Sequence, residues 1–210
     1  LLRISNQDRT TPFIQVGAND GLTNDAIREF AVWSKWPGIC VEPMPWLYQK
    51  LKSNYKHVEN VDCVNAALGQ GDSLELFFIR RDRIGEFPYW ADQIASFDRE
   101  HLFKHFERVE LDPSLLASCA IETVSFESLL ERLGYDPSNT LLFMDVEGYE
   151  NIIFREDSFY QLGFKNIIFE HTHLDEPDKI FMKLRKNGYE LHIAENDCIC
   201  SVDHSLIENL

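Results

Sequence analysis

Short apolar runs, each followed by a polar or glycine-rich turn and then by a helical period, recur along this chain. Phe13-Ile14-Gln15-Val16 leads into Gly17-Ala18-Asn19-Asp20-Gly21, and the spacing beyond predicts a helix over Leu22 to Trp33. Pro37-Gly38 ends the connection. Ile39-Cys40-Val41 reads as a second buried strand, and Glu42-Pro43-Met44-Pro45 introduces a helix from about Trp46 to Tyr55. A third strand is predicted over Val61 to Ala67, ending at Leu68-Gly69. The pattern resumes with a helix over Ser125 to Leu133, a strand over Leu141 to Met144, and a helix after Asp145 to Glu150 that runs to about Leu162. Asn166 to Phe169 is the next strand, and Pro177 to Asn187 is a helix stopped by Gly188. Tyr189 to Ala194 and Asp197 to Val202 then read as an antiparallel hairpin. Such alternation specifies an α/β fold, a doubly wound parallel sheet with an antiparallel C-terminal edge.

Residues 80 to 120 break the alternation. They open with Arg80-Arg81-Asp82-Arg83, include Phe87, Tyr89 and Trp90, and pass through Ser96-Phe97 into a helix predicted over Asp98 to Val109. So long a stretch without structure of its own is rare in a compact domain, so it is expected to be an inserted lid or acceptor-binding segment within a single domain of residues 1 to 210.

The chain has 210 residues, sufficient for one core. Its formal charge is −15, concentrated after residue 80, the wrong sign for gripping phosphate backbones, so nucleic acid is not an expected partner. No apolar run reaches membrane-spanning length, so the visible chain is expected to be soluble. It begins at Leu1 rather than Met, which leaves room for a trimmed upstream segment. Cys40, Cys63, Cys119, Cys198 and Cys200 form neither a disulfide framework nor a paired zinc motif, which fits a reducing, cytoplasmic setting. Cys198 and Cys200 read as small apolar strand residues on one face. His101 and His105 are spaced i, i+4, but Leu102 stands where a zinc-protease helix needs Glu.

The polar clusters lie at the predicted carboxyl ends of strands, where open α/β sheets bind ligands. The first turn reads GxxxG and lacks the third glycine of a dinucleotide fingerprint, and Asp20 would set a carboxylate against a phosphate, so a nicotinamide oxidoreductase is disfavoured. An Asn and Asp turn instead suits a ligand carrying an ammonium and a carboxylate, the ammonium meeting acid side chains and the carboxylate the free amides of the turn or helix start. Glu42 falls about twenty residues on, where an acid accepts hydrogen bonds from ribose hydroxyls. These features describe S-adenosylmethionine better than NAD.

Phe13 to Gly21, Val41-Glu42-Pro43-Met44-Pro45, Asn65-Ala66-Ala67-Leu68-Gly69, Phe143 to Glu150 and Ile168-Phe169-Glu170-His171 occur in an order and spacing that resemble the FkbM family of S-adenosylmethionine-dependent methyltransferases. The resemblance implies a class I, Rossmann-like sheet in the order 3-2-1-4-5-7-6. It also implies O-methylation of a hydroxyl on a sugar, glycan or secondary metabolite. It places Gly17, Ala18, Asn19 and Gly21 around the methionine part, Glu42 at the ribose, and Asn65 and Ala66 near the adenine; Asp20 and Pro43, beside them in sequence, are further cofactor-binding candidates. Family motifs often carry Asp where this chain has Gln15. Ser96 and Phe97 are further candidates for the adenine.

Asp145 and Glu147, two apart, project to one side if the strand continues, with Asp145 bordering sulfonium and acceptor and Glu147 orienting it. A divalent metal is not favoured, because the pair lacks a third neutral oxygen ligand, and no metal ligands are assigned. His171 and His173 would share one strand face and are the first choices for the base that takes the hydroxyl proton, with Asp145 second. The competing readings are a catalytically silent binding module and an N-methyltransferase. The oligomeric state stays open, a homo-oligomer included.

Overall fold

The computed structural model describes residues 10–88, 91, 94–105 and 112–207. Tyr89, Trp90 and the predicted helix beyond His105 lie outside the described residues, as do the side chains of His101 and His105.

β1 (Phe13–Val16) is buried along its whole length, and its parallel neighbours explain why. It lies between β2 (Gly38–Val41) and a strand at Leu141–Met144, pairing Ile14 with Ile39 and Leu142, so both faces are covered and the run can be apolar throughout. The first helix, α1, covers only Arg28–Trp33 rather than the expected span from Leu22. Asp20 accepts the amides of Leu22 and Thr23, and Asp25 those of Ile27 and Arg28, so side chains capture the amides a helix would need. α2 (Pro45–Tyr55) opens on its proline and buries Leu47, Leu51 and Tyr55.

The expected third strand is split. β3 (Val61–Val64) pairs with β2, whereas β4 (Ala67–Leu68) leaves for a second sheet. Between them the Asn65 amide donates to the carbonyls of Glu42 and Pro43. β5 (Ser73–Ile79), β6 (Ala95–Ser96) and β7 (Leu116–Val124) complete that four-stranded sheet in the order β4-β7-β5-β6. β5 and β7 pair antiparallel from Ser73↔Glu122 to Ile79↔Leu116. The departure from alternation therefore begins before residue 80 and ends after residue 120. α3 (Arg99–His105) follows β6.

α4 (Phe126–Leu133) is capped by the Ser125 hydroxyl, which accepts the Ser128 amide, and ends in left-handed Gly134. β8 (Leu141–Met144) leads to α5 (Glu150–Arg155) and α6 (Asp157–Gln161), two helices where one was expected, because Glu156 between them is extended. β9 (Asn166–Glu170), α7 (Pro177–Lys186), β10 (Glu190–Ile193), β11 (Asp197–Ser201) and α8 (His204–Ile207) finish the described chain. The main sheet runs β10-β11-β9-β8-β1-β2-β3, with β11 antiparallel to both neighbours. Numbered by its own strands in chain order, this is 3-2-1-4-5-7-6.

One face of the sheet packs on Phe126, Phe154, Phe159 and Phe164, and the other on Ile27, Trp36 and Leu51. Cys198 and Cys200 are fully buried in the first of these layers, and all five cysteines are free thiols. Among the described residues no helix is long and apolar enough to cross a membrane.

Candidate functional site

A cleft of about 300 Å³ opens at the carboxyl ends of β1, β2 and β8, walled by β4, β5 and the approach to β6. Gly17 forms its floor because nothing larger fits. Its φ is +79°, and a Cβ there would lie 1.7 Å from the Asp145 carbonyl oxygen. Gly21, at φ +65°, would likewise drive a Cβ into Leu51 and Tyr55.

The turn between these glycines is tied down by its own amides. Gly17 and Ala18 donate to the Val41 carbonyl, Asn19 to Glu42 Oε2, Asp20 to the Asn19 side chain and Gly21 to the Ala18 carbonyl. The expectation that free amides of this turn would meet a ligand carboxylate is therefore corrected, since the fold already uses them. Asp20 is also folded back onto its own turn. Its carboxylate takes the Leu22 and Thr23 amides and the Thr23 hydroxyl, and it does not line the cleft. Burial opposes its charge, yet those hydrogen bonds hold its pKa below the ordinary value.

Glu42 lines the cleft at 3% exposure, with Oε2 on the Asn19 amide and Oε1 on the Met44 amide. Burial pushes its pKa up to about 7 against the pull of those two bonds. Ala18, Asn19, Pro43 and Ala66 share the lining, whereas Asn65 and Ser96 do not. Asn65 acts behind the wall by holding the 42–43 carbonyls, and the Ser96 hydroxyl accepts the Asp98 amide. Phe97 does reach the cleft, where its ring meets Tyr149 edge to face at 5.5 Å.

Asp145 and Glu147 both line the cleft, but not by strand alternation. β8 ends at Met144, and Glu147 returns toward the cleft through a left-handed backbone at φ +52°. Glu150, 1% exposed, fixes this loop by accepting the Val146 and Gly148 amides. Burial raises its pKa to about 7. The Asp145 side chain opens onto the cleft, yet the surrounding protein, and then the charges of Glu170, Glu147 and Glu150, raise its pKa well above the carboxylate range.

His171 and His173 do not share a strand face, because β9 ends at Glu170. The His171 ring contacts the Ala194 carbonyl at 3.2 Å and lies edge-on to Phe181, away from the cleft lining. His173 turns the other way, with Nε2 3.5 Å from Glu147 Oε2 and 3.7 Å from Glu170 Oε2. Neither histidine lines the cleft.

Sequence reasoning missed Asp25 and the reach of Gln15. Asp25 lines the cleft and accepts from Gln15 at 3.3 Å and from the Tyr55 hydroxyl at 3.0 Å. The Asn24-Asp25 pair is a turn signal that the helical reading of the segment absorbed. Among the described residues the lining thus holds four carboxylates, Asp25, Glu42, Asp145 and Glu147, and no Lys, Arg or His.

No curated protein matches the sequence significantly. Solved structures resemble the fold. The METTL16 MTase domain aligns at TM-score 0.50 and 8% identity over 95% of this chain and 63% of that one. Precorrin-6y C5,15-methyltransferase from Geobacter metallireducens GS-15 aligns at 0.46 and 14% identity, over 95% and 82% of the two chains. An RNA methyltransferase from Salinibacter ruber, in complex with S-adenosyl-L-homocysteine, aligns at 0.43 and 13%, over 95% and 84%. The decisive comparison is with family models: residues 15–191, from Gln15 of the first strand to Leu191 of the terminal hairpin, match the methyltransferase FkbM domain, and the chain belongs to that family.

Proposed function

We propose that this protein transfers a methyl group from S-adenosylmethionine to a hydroxyl of a small molecule or glycan. The observation that carries the reading is the cleft itself, whose described lining sets four carboxylates and no cationic side chain at the ends of β1, β2 and β8. That donor set fits a ligand bearing a sulfonium and an ammonium, and its volume falls at the lower end of small-molecule sites. Glu42 would accept from the ribose hydroxyls through the lone pairs its two amide partners leave free. Asp25 and Asp145 would meet the positive charges, and Ala66 and Phe97 would flank the adenine. When bound, the cofactor supplies an electrophilic methyl group.

The protein's own part is to place the acceptor oxygen, exclude water and receive a proton. Asp145 is the proposed base, since it opens onto the cleft and its raised pKa brings its proton affinity toward neutral pH. This reverses the order expected from sequence, because neither histidine reaches the lining. Phe97 and the residues leading to β6 wall the cleft, which supports the 80–120 segment as part of the acceptor site.

Calorimetric titration with S-adenosylmethionine and S-adenosylhomocysteine tests the reading. Both should bind, Glu42→Ala should weaken both by at least about tenfold, near 1.4 kcal/mol, and Asp145→Asn should lower cofactor affinity by less than about tenfold while slowing transfer at saturating cofactor about 10²-fold or more. Labelled cofactor incubated with fractionated metabolites and glycans identifies the acceptor. Label entering amines would overturn the hydroxyl assignment. Binding without label in any fraction would favour the silent module, and absence of binding would sink the proposal.

A further inference from the structure

We propose that Glu147, Glu170 and His173 form a binding site for one divalent first-row cation beside the cleft. Their ligand atoms all lie within 4.8 Å of one another. His173 Nε2 stands 3.5 Å from Glu147 Oε2 and 3.7 Å from Glu170 Oε2. Ligands about 2.1 Å from a tetrahedral cation lie about 3.4 Å from each other, so His173 already stands at ligand spacing from each carboxylate, and the two carboxylates, within 4.8 Å, would draw together around an ion. The donors are a mixed set, and none is a freely solvated surface acid. The three side chains are 26%, 18% and 26% exposed for Glu147, Glu170 and His173.

The surroundings hold these donors in place, as the outer partners of metal ligands do. The Thr172 hydroxyl donates to Glu170 Oε1 at 2.6 Å, which leaves Oε2 on the side of His173. Asn151, 5% exposed, donates to the carbonyls of Gly148 and His173 and accepts the Asp175 amide. It therefore locks the loop after β8 to the loop after β9 at the separation the triad requires. Glu150 pins the amides on either side of Glu147. From sequence the pair Asp145 and Glu147 lacked a third neutral oxygen ligand; the adjacency of β8 and β9 instead brings a carboxylate and an imidazole, Glu170 and His173, to Glu147 alone.

Two carboxylates with one imidazole select Mn²⁺, Fe²⁺, Co²⁺ or Zn²⁺ over Ca²⁺, which takes oxygen ligands alone. Three protein ligands leave open coordination positions, and because only Glu147 of the three also lines the cleft, the ion's charge would act on an acceptor there through that side chain. That use rests on the methyl-transfer reading, whereas the binding itself does not.

The test is titration of the chelator-treated full chain with Co²⁺, read by visible d–d absorption, and with Mn²⁺, read by loss of the free-ion resonance signal. One equivalent should saturate the protein, and His173→Ala, Glu147→Gln and Glu170→Gln should each weaken binding at least about tenfold. Circular dichroism and thermal melting check the fold of each variant, and S-adenosylhomocysteine titration that of the Glu170 and His173 variants, which lie outside the cleft lining. If His173→Ala does not fold, the two isosteric Gln variants decide. No saturable binding by the parent, or variants that bind as the parent does, would overturn the site. Homocysteine-cofactor binding without Co²⁺ binding rejects only the metal, and the reverse pattern rejects only the methyl-transfer reading.

Discussion

Glu42 and Glu150 are buried carboxylates held by pairs of backbone amides, Asn19 and Met44 for one and Val146 and Gly148 for the other. Burial outweighs those bonds and raises each pKa from 4.5 to about 7. A carboxyl whose folded pKa exceeds its unfolded value stabilises the fold fully below the unfolded pKa and loses that contribution as pH rises through the folded one. Each shift corresponds to about 3 kcal/mol across that window. The cofactor-free protein is thus expected to lose denaturant resistance between about pH 5 and pH 7.5. Glu150→Gln should lower stability by about 1 kcal/mol through one lost amide bond and flatten the slope by about one proton. Parent stability that stays level or climbs over this range, with the variant parallel to it, would reject the assignment. Several cleft-lining residues were legible because their placement is local: the Gly17 turn, Glu42 and Asp145 sit at strand ends, and Glu147 follows in the same loop. Asp20 was read as facing the ligand and Asp25 was not read at all, because both close local turns and what sets Asp25 at the cleft is its contact with Gln15 and Tyr55, distant in sequence.

The central main-sheet strands β1, β2, β8 and β9 were visible as apolar runs because both their faces are covered. β5 and β7 were not, since they are half exposed and have no glycine turn between them, their closure spanning residues 80 to 115. The break after β3 was equally hidden, because it depends on Asn65 reaching back to the β2 loop. This hairpin offers a test of the acceptor segment. Ile79 and Leu116 are register partners, so a two-residue Asn-Gly turn in place of residues 80–115 should close β5 onto β7 without disturbing Leu76 or β4. The replacement removes Ile94, Ala95 and Phe97 from the lining but leaves Gly17, Glu42, Ala66 and Asp145 in place. Cofactor affinity should fall about tenfold, the loss of one aromatic wall, while transfer to the native acceptor disappears. Transfer that survives at the parent rate would show that acceptor recognition lies elsewhere.

At the scale of the whole molecule, charge sets which acceptors can approach. The chain carries 20 basic and 35 acidic residues, for a net −15. Several of the basic side chains are already engaged. Arg80 pairs with Asp82, Arg83 with Glu86, Arg132 with Asp62, Arg155 and Lys179 with Glu176, and Lys183 with Asp157. Such exposed pairs add little to stability. They do cancel the local positive field that a phosphate backbone would need, and the cleft beyond them is lined by carboxylates. Nucleic-acid affinity grows with each phosphate neutralised by Lys or Arg and falls with salt at a slope set by their number. The field around this protein has the opposite sign. Single-stranded RNA of mixed sequence should therefore show no saturable binding by fluorescence anisotropy at about 0.1 M salt, where the screening length is about 10 Å. Lowering the salt should not rescue it, because weaker screening strengthens repulsion between like charges. Binding that tightens as salt is removed, with a slope of several phosphates, would show a basic surface that the net charge conceals, and would move the acceptor from small molecule or glycan to nucleic acid.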